Sequence, residues 1–182
     1  MSRTAFAILM ASIVVLVLGG MWIAWRARSR RDAGVALVGT APTGEIIAVF
    51  PRASYVSTTP IGSPFERVAI PGLQYKGFAE VTVRHDGVSI AVTGEPAVHL
   101  SAAQLSGTST AGGRIGKIVE RDGLSLLQWR SNVDRTTQPE DGESRDLESS
   151  FRFTNPTEQR AFADAVAEIL QTEESHTTQE DA

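Results

Sequence analysis

The chain has 182 residues, of which 42% are hydrophobic and 21% charged, and it contains no cysteine. This composition fits one folded domain with an appendage and excludes a wholly disordered or collagen-like protein. Without cysteine, thiol nucleophiles, disulfides and cysteine metal sites are excluded as well. Five of the 17 basic residues and none of the 21 acidic ones lie in residues 1–31, so the net charge of −4 conceals a value of −9 for the remainder. An acidic body argues against nucleic-acid binding.

Residues 4–25 form an uncharged and mostly apolar stretch that predicts a transmembrane helix. At about 1.5 Å per residue, such a helix spans roughly the 30 Å hydrocarbon layer of a bilayer. A cleaved secretory signal fits less well, because the apolar run is too long and its charge bias is reversed. The expected membrane-interface anchors follow the usual preference for tryptophan and arginine at helix ends: Trp22, Trp25, Arg26, Arg28, Arg30 and Arg31.

The charges that flank this helix also predict its orientation. Four arginines follow the apolar stretch, whereas only Arg3 and the terminal amine precede it. Because positive charge favours the cytoplasmic side, we expect a single-pass protein of the cell (inner) membrane, with its N-terminus outside and its C-terminal domain in the cytoplasm. A basic juxtamembrane segment and linker is predicted for residues 26–44, a folded domain for 45–172 and an acidic disordered tail for 173–182.

The folded domain is predicted to be mainly β. Short runs rich in β-branched residues recur between turn residues, and helical periodicity is absent until the end of the domain. Eight such runs, at 45–50, 52–58, 79–85, 88–92, 97–100, 115–120, 124–130 and 147–153, predict a domain of about seven antiparallel strands. Pro51 cannot donate to a strand ladder and marks an edge, bulge or bend. The pair Asp86-Gly87 predicts a two-residue hairpin turn.

The second predicted hairpin joins 115–120 to 124–130 through Arg121-Asp122-Gly123. In its second strand, alternation puts Leu127 and Trp129 on one face and Leu124 and Leu126 on the other. The polar stretch that follows, residues 131–145, predicts an exposed loop.

A C-terminal amphipathic helix completes the predicted domain. Asn155 can cap it, Pro156 suits the first helical position, and Glu158 gives a spacing like that of a capping box. Apolar residues then recur at helical spacing on one side: Phe162, Val166, Ile169 and Leu170. We expect this face to lie on the sheet and close an open side of the core.

Catalytic and metal-binding patterns are not recognisable in the sequence. His85, His99 and His176 have no ligand spacing to one another. The glycine-rich stretch 107–117 invites comparison with a phosphate loop, but Lys117 is followed by Ile118 instead of a hydroxyl residue and a helix. We therefore expect a non-catalytic protein with no metal and no cofactor.

The basic residues near that glycine-rich stretch form a candidate lipid- or anion-binding site. It would consist of Arg114, Lys117 and Arg121, with Arg84 as a further member. Each cation near an anionic bilayer surface contributes about 1 kcal/mol. The opposing interpretation is scattered solubilising charge, which the acidic balance of the body favours.

Several motifs in order resemble a known bacterial family. They are Tyr55 to Thr59, Glu66 to Val68, Gly72-Leu73, the hairpin VTVRHDGVSI, Gly116 to Val119, and Asp122 to Arg130. The chain is similar to small membrane proteins of high-GC Gram-positive bacteria that have one N-terminal membrane helix and a bacterial PH-like domain. Members are often labelled export or transporter proteins and are often encoded beside pyrimidine-biosynthesis genes. The resemblance implies a PH-like barrel without known catalytic activity, and it supplies no ligand residues.

Together these observations predict a PH-like barrel of about seven strands, capped by a C-terminal helix and preceded by one transmembrane helix. The function we expect is that of a non-catalytic interaction module that binds a protein partner at the membrane. Two alternatives are a sensor of anionic lipid headgroups and an accessory subunit of a transporter or export system. A polar cavity lined by Tyr55, Thr59 and His99 would favour an enzyme or a transporter subunit.

Overall fold

The computed structural model describes residues 3–33, 40–131 and 144–180. Two long helices flank nine strands. The helices are α1 (Arg3–Ala33) and α2 (Pro156–Glu180), and a single 3₁₀ turn occupies Ala102–Gln104. The strands are β1 (Ile46–Pro60), β2 (Gly77–Arg84), β3 (Gly87–Val92), β4 (Val98–Ser101), β5 (Leu105–Ala111), β6 (Gly113–Arg114), β7 (Lys117–Ile118), β8 (Leu124–Arg130) and β9 (Asp146–Arg152).

Seven of the strands form one antiparallel sheet in the order β4-β3-β2-β1-β9-β8-β5. Strand β1 is central because its first part pairs with β2 and its second part pairs with β9. The remaining strands, β6 and β7, make a separate two-stranded hairpin. The prediction of a mainly β domain with seven antiparallel strands and a C-terminal helix is confirmed.

Pro51 produces a bulge within one strand, where the sequence predicted two strands. β1 runs through Pro51 without a break, but its register against β2 shifts between Phe50 and Ala53. Proline has no N–H to donate, so a bulge leaves it without a ladder bond. This distortion lets β1 change partner from β2 to β9 along its length.

The first hairpin turns one residue earlier than predicted. Arg84 pairs with Gly87, so His85 and Asp86 form the turn and Gly87 already belongs to β3. The glycine is required because Gly87 has a φ of 153°, and a Cβ there would clash with the carbonyl oxygen of Leu100 in β4. The Asp-Gly pair therefore marked the hairpin correctly but not its two central residues.

The second predicted hairpin is wrong in one of its strands. β8 pairs with β5, which the sequence did not predict as a strand, and not with 115–120. β5 has the sequence LSGTSTA, in which small hydroxyl residues replace the apolar alternation that predicts a half-buried strand. The predicted faces of β8 are confirmed. Leu127 and Trp129 belong to the main core, and Leu124 and Leu126 belong to a second, smaller one.

Helix α2 closes the main core as predicted. Glu158 N donates to Asn155 Oδ1 at 2.9 Å, which caps the helix start. Phe162 is fully buried, and its ring lies 5.0 Å from that of Phe153 and 5.8 Å from that of Phe50. Val166 and Ile169 are also fully buried, and Leu170 packs against the same cluster.

Helix α2 extends beyond its predicted end and includes residues 173–180, which were assigned to a disordered tail. No glycine or proline follows Pro156, so the sequence has no residue that would stop the helix. Several other predicted segments lie outside the described residues: 34–39 of the linker, 132–143 of the exposed loop, and 181–182.

Helix α1 has 31 residues and includes the predicted membrane segment together with part of the basic segment after it. Among the residues that the structure describes, no helix is both long and apolar enough to cross a membrane. The transmembrane assignment therefore stays a prediction from the sequence.

Candidate functional site

The connection between β5 and β8 folds back over the outer face of the sheet. We call residues 112–123, which include β6 and β7, the flap. Val119 of the flap packs against Val56, Leu124 and Leu126, which form the second core. Ile115 N donates to the carbonyl oxygen of Pro64 at 3.1 Å. The outer face of β1, β8 and β9 is therefore covered, although a sheet in a small barrel usually has one wet face.

A buried ion pair joins the flap to the sheet. Arg114 Nε and Nη2 each lie 2.8 Å from Glu148 Oε1, and Thr59 donates to the same oxygen at 3.2 Å. Only 13% of the Arg114 side chain and 5% of the Glu148 side chain are exposed. Because each charge neutralises the other within the protein, Arg114 serves to hold the flap and is not free to bind an anion.

A groove opens where the flap meets the start of β2. It has a volume of about 430 Å³ and is lined by Ser54, Tyr55, Val56, Lys76, Gly77, Phe78, Gly116 and Lys117. We call it the lysine groove. One lysine precedes β2 and the other belongs to β7, so two different segments each contribute a cation to the groove.

The path of β1 creates the lysine groove. Tyr55 opposite Gly77 is the last pair between β1 and β2, and from there β1 continues beside β9 alone. The flap hairpin reaches the gap through a turn at Gly116, whose φ of 89° favours glycine. Lys117, the first residue after this turn, is thereby placed beside the gap.

The rim of the lysine groove combines positive charge with exposed apolar side chains. Within residues 40–131 and 144–180, neither Lys76 nor Lys117 forms an ion pair. The guanidinium of Arg52 lies 5.3 Å from the ring centroid of Phe78, a cation–π contact. Phe78 is 58% exposed and Ile118, beside Lys117, is 90% exposed.

The structure brings together only part of the predicted anion site. Arg114 and Lys117 pair directly across the flap hairpin. Arg121 is 97% exposed and lies 3.9 Å from Asp122. Arg84 donates to the carbonyl oxygen of Gly44 at 2.7 Å, beside the start of β1, whereas Arg114 lies near its end. The four residues therefore do not form one cluster.

Sequence reasoning missed two groove residues, Lys76 and Phe78. They precede and begin β2, and about 40 residues separate them from Lys117. The only local indication was a lysine between two aromatic residues, Tyr75 and Phe78, at the start of a strand. Their approach to the flap depends on the change of partner by β1, which no local pattern encodes.

Tyr55 faces the barrel interior and belongs to a buried hydrogen-bond network. Its hydroxyl donates to the carbonyl oxygen of Leu73 at 2.9 Å and lies 2.9 Å from Thr58 Oγ1. Ser149 Oγ lies 2.8 Å from Thr58 Oγ1 and accepts from Trp129 Nε1 at 3.0 Å. Burial raises the pKa of Tyr55 to about 12, which keeps the phenol neutral. The network is structural, because it is sealed from solvent.

The residues named as a possible polar cavity do not share one. Thr59 contacts Glu148 under the flap, and His99 Nδ1 lies 2.9 Å from Ser89 Oγ on β3. Tyr55 donates into the interior. Among the described side chains, no three histidine, aspartate or glutamate residues are grouped so that they could hold a metal ion.

Asp86 binds the backbone of the segment that leads into the domain. Its Oδ2 accepts from Thr43 N at 2.7 Å and from Gly44 N at 2.8 Å. Desolvation acts to raise the pKa of Asp86, but the backbone donors of Gly44, Thr43 and Asp86 itself, together with the charge of Arg84, outweigh it and hold the pKa below its usual value. The segment that leads from α1 is thus bound to the β2–β3 turn.

Of the predicted membrane anchors, only Trp22 has a described side chain, which is 58% exposed. The side chains of Trp25, Arg26, Arg28, Arg30 and Arg31 lie outside the described residues, although their backbone belongs to α1.

A family model described as "Bacterial PH domain-like" matches residues 38–167. The chain belongs to this bacterial PH-like family. The match begins before β1 and ends within α2, so it covers the whole seven-stranded sheet and the flap. PH-like domains are generally non-catalytic interaction modules.

Two further comparisons add little to the family assignment. No curated protein sequence matches this chain. One similar solved structure is a chain of "The 8S snRNP Assembly Intermediate", with 9% sequence identity and a TM-score of 0.45, and the match covers 73% of this chain and 87% of that chain.

Proposed function

We propose that this protein is a non-catalytic, single-pass membrane protein whose PH-like domain binds a protein partner at the cytoplasmic surface. The observation that carries the proposal is an uncovered apolar helix attached to a domain of an interaction-module family. The helix supplies attachment to the membrane and the domain supplies recognition. Tethering both partners to one membrane raises their effective concentration, so a weak contact suffices for binding.

The membrane attachment is supported by the sequence and by the exposure of α1. Residues 4–25 carry no charge. Every described large apolar side chain from Phe6 to Ile23 is at least 45% exposed, so this surface needs a cover that the described residues do not provide. Hydrocarbon is the cover that a stretch of this length fits. The arginines after residue 25 favour a cytoplasmic domain.

The recognition role is supported by the surface beside the flap. Seven large apolar side chains outside α1 are exposed in the described residues, and four of them lie on segments that adjoin the lysine groove: Phe65, Tyr75, Phe78 and Ile118. An exposed apolar patch with a charged rim is typical of protein-interaction sites.

Membrane attachment and orientation are tested on the full-length chain in bacterial cells. Alkaline carbonate should leave the protein in the membrane pellet, because a spanning helix is not extracted by high pH. The chain has no native cysteine, so one introduced at Ser2 should react with an impermeant maleimide in intact cells. A cysteine introduced at Ala182 should react only after the cells are opened. Extraction by carbonate, or labelling of residue 182 in intact cells, would contradict the proposal.

Partner binding is tested by photo-crosslinking in the same cells. A photoreactive amino acid replaces Phe78 or Ile118, and the matched control carries it at Arg121, which is more exposed than either. We expect discrete heterologous protein adducts from the first two positions. If no position on the domain gives a protein adduct, the interaction-module proposal fails. If the adducts contain subunits of a transporter or export complex, the protein is an accessory subunit of that complex.

The second candidate function is the sensing of anionic lipid headgroups. It is favoured by the two lysines of the groove, which have no ion pair among the described residues. Water-soluble dihexanoyl phosphatidylglycerol is the probe, titrated into the full-length chain in neutral detergent. A lipid sensor should bind it in a salt-dependent way, with dihexanoyl phosphatidylcholine as the control.

A further inference from the structure

The lysine groove has the charge to bind an acidic ligand. Lys76 and Lys117 both line it and lack an acidic partner within residues 40–131 and 144–180. Arg52, stacked on Phe78, adds a third cation at the same rim. The whole region beyond residue 31 carries −9, so this local concentration of positive charge runs against the average of the domain. Charge of one sign at an exposed rim selects the opposite sign in a partner.

One exposed aromatic side chain lines the same groove, and two further exposed apolar residues lie beside its lysines in the sequence. Phe78 lines it directly, and Tyr75 and Ile118 are sequence neighbours of the two lysines. Their exposed fractions are 58%, 64% and 90%. Covering side chains of this kind with a partner is favourable, because it removes apolar surface from water. A ligand that offers only charge would leave this apolar area unused.

Shape and charge balance favour a protein segment over a lipid headgroup. A headgroup phosphate is compact and needs several donors that converge on one point, whereas the two lysines come from separate segments that line a groove of about 430 Å³. Two lysines near an anionic bilayer also contribute only a weak attraction, and the acidic body opposes it. An extended acidic segment can reach both lysines and place an apolar side chain between them.

We propose that the lysine groove binds an acidic segment of a protein partner, with carboxylates on Lys76 and Lys117 and a bulky apolar side chain against Phe78. This inference rests on the proposed role as a protein-interaction module and names its site and the chemistry of its ligand. Flap residues take part directly, since Gly116 and Lys117 form one wall. The buried pair of Arg114 and Glu148 positions that wall and does not touch the ligand.

The test is a selection of random dodecapeptides by display on the full-length chain in neutral detergent. Parallel selections use the double variant Lys76→Glu/Lys117→Glu and the control Arg121→Glu, which reverses one charge on the flap outside the groove. Circular dichroism verifies that each variant is folded. We expect peptides rich in Asp and Glu with one Phe, Leu or Trp to be enriched on the wild type and the control, and at least tenfold less on the double variant.

The affinity of one enriched peptide then tests the apolar contact and the charged contacts of the ligand separately. Phe78→Ala should weaken binding about tenfold, and a peptide with lysines in place of its acidic residues should not bind. The inference is overturned if no acidic class is enriched, or if its enrichment is equal on the double variant. It is also overturned if dihexanoyl phosphatidylglycerol, and not peptide, shows the dependence on Lys76 and Lys117.

This outcome is distinguishable from a failure of the proposed function. Photo-crosslinking in cells, extended to exposed positions away from the groove such as Val49 and Ile61, reports a protein partner that binds elsewhere on the domain. Protein adducts together with groove-independent peptide binding would leave the interaction module intact and reject the groove as its site. The absence of any protein adduct would reject the module itself.

Discussion

The interior of the barrel and its outer surface under the flap are held by different interactions. The interior is filled by large apolar side chains, among them Trp129, Phe151 and Phe162, with one satisfied network of hydroxyl groups. The outer surface has a small apolar cluster, and ion pairs of Arg114 with Glu148 and of Glu120 with Arg152 join the flap to β9. Non-directional packing tolerates repacking, whereas a buried ion pair has one good geometry. Charge pairing therefore determines the position of the flap, whereas the packing of large apolar side chains determines the structure of the interior.

The largest effect should come from the barrel interior. Phe151→Ala removes a fully buried ring that lies near Tyr55, Phe153 and Phe162. We expect the free energy of unfolding to fall by about 4 kcal/mol, from lost burial and from the cavity that remains. Urea denaturation of the full-length chain in detergent measures it. Phe65→Ala, at a ring that is 77% exposed, is the control and should have an effect below about 0.5 kcal/mol.

A somewhat smaller effect is expected from the flap. Arg114→Ala leaves the carboxylate of Glu148 buried without its cation, which should cost about 3 kcal/mol. The double variant Arg114→Met/Glu148→Leu removes both charges and should recover most of this loss. If the single and double variants are equally unstable, packing holds the flap and the contrast with the interior is wrong. Near-ultraviolet circular dichroism of Trp129 should stay native-like in both.

The hydroxyl network inside the barrel should contribute less than either. Tyr55→Phe removes the donor to the Leu73 carbonyl and one partner of Thr58, while it keeps the ring in place. We expect a loss of about 1–2 kcal/mol, because a buried acceptor is left unpaired. Thr110→Val is the comparison, since its hydroxyl bonds to Asp122 at an exposed site. A loss as large as that of Phe151→Ala would show that polar contacts dominate the interior.

The smallest effect should come from Asp86 in the β2–β3 turn, which binds the backbone of Thr43 and Gly44 just before β1. The pKa of Asp86 is lowered in the folded protein, so its stabilising contribution is present above the usual value of 3.8 and is lost as the pH falls through the lower folded value. Asp86→Asn should therefore lower the melting temperature slightly at pH 7 and match the wild type in strong acid. The difference between the two melting curves, followed from pH 7 to pH 2, measures this. If the difference in melting temperature does not change with pH, ionisation of the Asp86 carboxylate is not its cause.

The candidate site shows why sequence patterns do not predict which residues meet at a surface groove. Lys117 was predicted as part of an anion site, and the structure places it in the groove, but its neighbours differ from the predicted ones. Arg114, which pairs with Lys117 across the hairpin, forms a buried ion pair with Glu148. Lys76 comes from a segment about 40 residues away. Spacing along a chain reports neighbours within one element, whereas the groove joins elements that meet only after β1 has changed partner.

Local chemistry in the sequence determined the elements whose own residues specify them. Asn155, Pro156 and Glu158 define the start of α2, and its apolar stripe defines the buried face. Alternation in β8 identified which of its leucines face the main core. These features depend on period and capping, which act within a few residues.

Only the tertiary structure decided the pairing of β5 with β8, the cover over the outer face and the lysine groove. β5 has no apolar alternation, so its strand conformation comes from the partner that binds it. The flap hairpin is held over β9 by an ion pair between residues 34 positions apart. Interactions of this kind depend on where the folded backbone places distant segments. Local sequence patterns do not contain that information.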